Sequence, residues 1–251
     1  MAWVTKSSDE QYTPEPAPRE YTKQEKAANW WHYHKVTIFV VLIVIALIAW
    51  VLHDTLDQVQ PDLQVGYVGT TSLPDETVEA LQNALLPYCT DRNGDGQVVV
   101  EVSQYNVDFS TSDMGEDPYT QIAGTTQLTA ELAAGSDTYL FLLQDPEGFQ
   151  TQTQVLQYVD GTLPPDDGTA NDWQRMVYRW SDCPVLAAMD LGEYTQNYAS
   201  AETAGSNQDL MASLYIGCRG NWNQEVSESY TESLALWDTL TLGATSPAAA
   251  S

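Results

Sequence analysis

Beyond His53 the chain has no histidine, and beyond Lys35 it has no lysine. The long C-terminal segment therefore lacks the commonest general base and the Ser–His and Cys–His nucleophile pairs. It also lacks His-ligated zinc and the phosphate-gripping lysine of nucleotide loops. Neither Gly-x-Ser-x-Gly nor His-Glu-x-x-His occurs. Paired carboxylates remain, as in glycoside hydrolysis, but no pair stands out from the sequence. The expectation is a protein that is not an enzyme.

Three cysteines, Cys89, Cys183 and Cys218, are too few for a disulfide scaffold. A Cys183–Cys218 bridge and a pair of small buried side chains both fit. No Asn-x-Ser/Thr sequon is present. Positive charge is scarce and unevenly placed in a chain of net charge −26. Residues 1–35 hold five acidic and five basic residues of 35 and nine, which leaves thirty acids after Leu52 against Arg92, Arg175, Arg179 and Arg219. Such a field repels phosphate backbones, so nucleic acid is excluded as a partner. It implies a solvated surface or an attraction for cations.

Only one long hydrophobic run exists, residues 36–52 (VTIFVVLIVIALIAWVL), without a charge. As a helix it covers about 25 Å, and Trp30, Trp31, Tyr33 and Trp50 flank it where amphipathic rings favour a membrane interface. All four lysines precede it. The positive-inside rule then places the N-terminus in the cytoplasm and the large C-terminal domain outside. No small-x-small cleavage site follows the run, so it reads as an uncleaved signal anchor at the cell membrane. The expected organisation is a disordered cytoplasmic tail (1–29), a single-pass anchor (30–53), a stalk (54–61), an extracellular α/β domain (62–243) and a frayed tail (244–251).

Within the domain, residues 63–68 (LQVGYV) predict a first strand, and Ser72-Leu-Pro-Asp-Glu opens a helix with Val78, Leu81 and Leu85 on one face. Residues 97–102 (QVVVEV) predict a second strand. Residues 119–134 predict a helix capped by Gly135, 138–143 (TYLFLL) a third strand, and 146–158 a helix. Residues 184–191 predict a fourth strand, 210–218 a helix end or fifth strand, and Ser227 caps a closing helix. Alternating strands and helices imply right-handed crossovers and a three-layer α/β sandwich.

Ligands of open α/β sheets sit beyond the carboxyl ends of strands. Two loops there supply candidates: Thr70 and Thr71 after the first strand, and Asp145, Glu147 and Phe149 after the third. Ordinary helix capping explains the same residues. Asp91-Arg-Asn-Gly-Asp-Gly places Asp91, Asn93 and Asp95 at the first, third and fifth positions of a calcium loop, with the Gln97 carbonyl next. Val102 stands where a bidentate Glu belongs, so calcium would need a further carboxylate; Asx turns account for the same residues. Asp108-Phe-Ser-Thr-Ser matches an Asp-x-Ser-x-Ser metal motif, but after the second strand, where coincidence is the simpler reading. His32 and His34 flank the anchor without a third ligand.

The segment ELAAGSDTYLFLLQDPEGF, with LQVGYVG near the start and SLYIGCRG later, resembles the first lobe of extracellular solute-binding proteins. The likeness spans residues 62–220, and the whole layout is similar to uncharacterised signal-anchored surface proteins of Gram-positive anaerobic bacteria. It implies one lobe of a periplasmic-binding-protein-like fold. A second lobe does not fit between the third strand and Pro184. The favoured function is a non-enzymatic surface module that contacts a small molecule, a cell-wall component or a partner protein. A carbohydrate hydrolase and an accessory subunit of a membrane complex are the alternatives.

Overall fold

Thr22 and Glu25 form a capping box. The Thr22 N–H donates to Glu25 Oε2 (2.9 Å) and the Glu25 N–H to Thr22 Oγ1 (3.3 Å). Helix α1 starts there and runs through Lys23–Leu56, so it takes in part of the expected tail and part of the expected stalk. The computed structural model describes residues 20, 22–56, 60–110, 118–198, 201–222 and 227–245. It divides into two compact units, Met1–Gln58 and Val59–Ser251. In the first unit α1 is long and apolar enough to cross a membrane. Phe39, Leu42, Ile43 and Ile45 are each more than half exposed, so the helix has no core of its own to face.

The second unit carries strands β1 (Leu63–Gly69), β2 (Val100–Asn106), β3 (Thr138–Leu143), β4 (Val177–Arg179), β5 (Glu193–Tyr198), β6 (Ala201–Ser206) and β7 (Tyr215–Cys218). Its helices are α2 (Asp75–Leu85), α3 (Pro118–Ala133), α4 (Pro146–Thr153), α5 (Pro184–Ala187), α6 (Asn207–Ala212) and α7 (Glu228–Leu240). Five strands form one sheet in the order β2-β1-β3-β7-β4. β2, β1 and β3 are parallel, β7 runs antiparallel to β3, and β4 antiparallel to β7.

Period-2 alternation divides the core between the two faces. Leu63, Val65 and Tyr67 of β1 join Leu140 and Leu142 of β3 on one side, against Leu81 and Leu85 of α2 and Leu236, Trp237 and Leu240 of α7. Val68, Phe141 and Leu143 point the other way, to Leu128 of α3 and Phe149 of α4. Gly66 makes room for this second cluster. A Cβ there would lie 2.6 Å from Phe141 Cδ1 and Cε1. The β1–α2–β2 and β2–α3–β3 crossovers move in opposite directions across opposite faces, so they share one hand.

The sheet is mixed, where alternation alone predicted parallel strands. Residues 184–191 are not a strand: Pro184, without an N–H, starts the four-residue α5 with Cys183 before it. The strand is instead β4, three residues long. Residues 210–218 are both readings in turn, the end of α6 and then β7. α4 stops at Thr153 because Gln154 takes a left-handed conformation (φ 53°). β2 begins at Val100 rather than at residue 97. The β5–β6 hairpin was not expected from its polar sequence. It is tied to α2 by the Thr195 N–H on Glu76 Oε2 (2.6 Å). Cys183 and Cys218 are buried with free thiols and form no bridge.

Candidate functional site: a crevice at the carboxyl edge of the sheet

β1 leads to α2 on one face of the sheet and β3 leads to α4 on the other. The two chains diverge at their carboxyl ends, and such a switch of direction leaves an opening between them. Here it is a crevice of about 180 Å³. Thr70 from the β1 end, Asp108, Phe109 and Ser110 from the β2 end, and Gln144 and Asp145 from the β3 end line it.

Local hydrogen bonds hold these side chains. The Thr70 N–H and Oγ1 both donate to Gln144 Oε1, at 2.8 and 3.2 Å, which joins the β1 and β3 ends. A Cβ on Gly69 would stand 2.8 Å from that oxygen, so only glycine leaves the carboxamide in place. Asp145 caps α4, its Oδ1 accepting the Gly148 N–H at 3.0 Å. Asp108 Oδ1 accepts from Ser110 N–H and Oγ, at 2.9 and 2.6 Å, while the Asp108 N–H donates to Gln121 Oε1 at 2.7 Å. Phe109 stacks edge-on against Phe149, centroids 6.2 Å apart.

Of the sequence-predicted ligand residues, Thr70 and Asp145 meet in the crevice. Thr71 does not line it; its carbonyl accepts the Tyr67 hydroxyl at 3.0 Å. Glu147 is exposed in the first turn of α4 and is not part of the lining. Phe149 is fully buried between Phe109 and Phe141, so it is a core residue that supports the crevice from below. Gln144 belongs to the loop named after the third strand but was not singled out, and Phe109 and the crevice-lining placement of Asp108 and Ser110 were missed. The signal for them was positional, because all follow directly on a parallel strand. Ser112, the third member of the Asp-x-Ser-x-Ser motif, lies outside the described residues.

No lysine, arginine or histidine lines the crevice among the described residues. Two carboxylates, a carboxamide and two hydroxyls present mainly acceptor oxygens, with one aromatic ring beside them. This set suits hydroxyl-rich neutral molecules and is hostile to anions.

The loop with Asp91, Asn93 and Asp95 lies elsewhere, before β2. Asp91 Oδ1 and Oδ2 accept the Gly94 and Gly96 N–H groups at 2.7 and 2.9 Å. Asn93 Oδ1 accepts from the Asp95 N–H, and Asp95 Oδ1 from the Gln97 N–H, both at 2.8 Å. The last two are Asx turns, and the Asp91 carboxylate closes the loop around them. Among the described residues no cluster of three or more His, Cys, Asp or Glu is arranged to hold a metal ion. The organiser of the loop is a residue outside it, the buried Asp62. Its Oδ1 accepts the Arg92 and Asn93 N–H groups (2.7 and 3.2 Å) and its Oδ2 that of Val99 (2.8 Å).

Comparison with protein-family models, with curated proteins and with solved structures gives no match to this chain. The functional reading therefore rests on the geometry of the crevice and on the sequence.

Proposed function

We propose that this chain is a membrane-anchored, non-enzymatic binding module. Its C-terminal domain stands outside the cell, is similar to a single lobe of a solute-binding protein, and takes a small hydroxyl-rich molecule such as a wall saccharide. The observation that carries this reading is the crevice. It sits at the switch point of the sheet, and acceptors and hydroxyls meet there without a basic group among the described residues. The lysines that precede the apolar helix support the orientation. Between β4 and β7 the chain leaves the sheet only for short helices and the β5–β6 hairpin, which supports a single lobe.

The test is a thermal-shift screen of the protein against sugars, amino acids and peptides. Sugars alone should raise the melting temperature, and Thr70→Ala and Asp108→Asn should abolish the rise. A shift with amino acids or peptides and none with sugars refutes the ligand class. One observation favours a second reading: Asp108 and Asp145 share the crevice, as the two carboxylates of a hydrolase would. Release of sugar product, lost in Asp108→Asn, would establish the hydrolase in place of the binder.

A further inference from the structure

We propose a second binding site, for a small monocarboxylate with an apolar body, at the opposite edge of the sheet from the crevice. A cavity of about 460 Å³ opens there between the C-terminal turn of α3, the start of β3, the residues after β7 and the start of α7. That volume lies within the usual range of small-molecule sites, about 300–1,000 Å³. The site is independent of the crevice and of the function proposed for it.

Register places the polar groups together. β7 runs antiparallel to β3 with Cys218 opposite Leu140, so Arg219 emerges beside Tyr139, and its N–H donates to the Tyr139 carbonyl at 2.7 Å. The Arg219 guanidinium is drawn into the cavity wall. Nη2 donates to the Leu132 carbonyl (2.9 Å) and Nη1 to that of Ser136 (3.4 Å), and the group lies 5.9 Å from the Tyr139 ring centroid. These contacts cap the C-terminus of α3 and use two of the five guanidinium N–H groups, leaving a partial fork for an acceptor. Trp222 also lines the cavity, and among the described residues its buried Nε1–H has no hydrogen-bond partner. Leu132, Val155, Tyr139 and Trp222 give the cavity its apolar wall.

The acids nearby are already engaged. Asp137 accepts from Ser229 Oγ and lies 3.4 Å from Arg92 Nη2, and Glu131 accepts from Thr138 Oγ1 at 2.8 Å. A planar carboxylate matches two N–H groups of the guanidinium while its apolar body meets the wall. A phosphate dianion carries more charge than Arg219 can balance beside Asp137 and Glu131.

The experiment uses the full-length chain in detergent micelles and follows the indole N–H resonance of Trp222, identified by its loss in Trp222→Phe. Benzoate is the probe. Benzamide, its neutral counterpart, and inorganic phosphate are the controls at equal ionic strength. Benzoate at millimolar concentration should displace the Trp222 resonance in a saturable way, and the controls should not. Calorimetry should show about tenfold weaker benzoate binding in Trp222→Phe and in Arg219→Lys, which keeps the positive charge beside α3 but loses the fork. The inference is overturned if the resonance does not move with benzoate, if benzamide or phosphate moves it equally, or if both folded variants bind benzoate as the wild type does.

Discussion

Asp62→Asn removes one charge and converts one acceptor oxygen into a donor. In the wild type, burial alone would push the Asp62 carboxyl up. The N–H groups of Val99, Arg92 and Asn93, together with the Arg92 charge, outweigh it and hold the group below its ordinary value of 3.8. Three backbone N–H groups converge on this carboxylate, which is only 7% exposed. An Asn amide must turn its NH₂ toward at least one of them, and bonds to charged acceptors contribute about 1.5–3 kcal/mol each. Loss of the charge plus one misdirected donor costs about 3 kcal/mol in total. In a domain of this size that lowers Tm by about 6–12 °C. A carboxylate with a depressed folded pKa stabilises above its unfolded value and loses that contribution as pH falls through the folded value. The gap between wild type and Asp62→Asn, measured by urea unfolding, should therefore be full near about pH 7 and shrink below 3.8. A gap under about 1 kcal/mol at neutral pH, or one that does not change with pH, refutes this account of the loop.

Gly66→Ala should cost about 1–3 kcal/mol in urea unfolding, because its Cβ drives Phe141 out of a fully buried place; an unchanged midpoint would show that the ring has slack. Burial pushes the Cys183 and Cys218 thiols up to about 12 and Cys89 to about 11, so at about pH 8 the native protein should leave Cys183 and Cys218 unlabelled by a disulfide reagent until denaturant is added. Raised thiol values also mean that their contribution to stability is complete below the ordinary value of 9.0 and lost as pH climbs from there toward 12, and rapid native labelling of Cys218 would contradict the packing. Hydrogen-bond donors already occupy both oxygens of Asp91 and of Asp95, so melting in EDTA and in millimolar calcium should coincide. A calcium-dependent rise that Asp91→Ala removes would restore the calcium reading.

Elements with strong local signals were legible: β1 and β3 from their apolar runs, α2 from the Leu81–Leu85 face, and α7 from the Ser227 cap, whose Oγ accepts the Tyr230 N–H at 3.1 Å. The middle of the chain was not. Val185 and Leu186 look like strand residues by composition, yet Pro184 sits best at a helix start, and only tertiary packing of Leu186 decides the matter. β4 is three residues long, too short for any periodicity to register. The direction of β7 has no local signature at all, because parallel and antiparallel pairing use the same side chains. For the site, single-residue capping signals found Thr70 and Asp145 but also selected Phe149, whose ring faces inward. Asp62 stayed invisible because its partners are backbone N–H groups some thirty residues away.

The few cations explain why the two ends of the sheet must differ in chemistry. At the amino end, Arg92 bonds the Pro61 carbonyl and faces Asp137, while Arg219 holds the end of α3. Both are fixed by the fold, and Arg219 also lines the cavity proposed above for a carboxylate. At the carboxyl end of β1–β3 no arginine lines the crevice among the described residues, and Asp108 and Asp145 stand in a domain rich in acids. An anion entering there would meet two carboxylates of its own sign, and like charges repel. A neutral polyol meets the same oxygens as hydrogen-bond acceptors, and it can donate to the Thr70 and Ser110 hydroxyl oxygens, whose own protons are held by Gln144 and Asp108. On the two proposals made above, charge sorts ligands between the two edges: hydroxyl-rich neutral molecules at one and a carboxylate at the other.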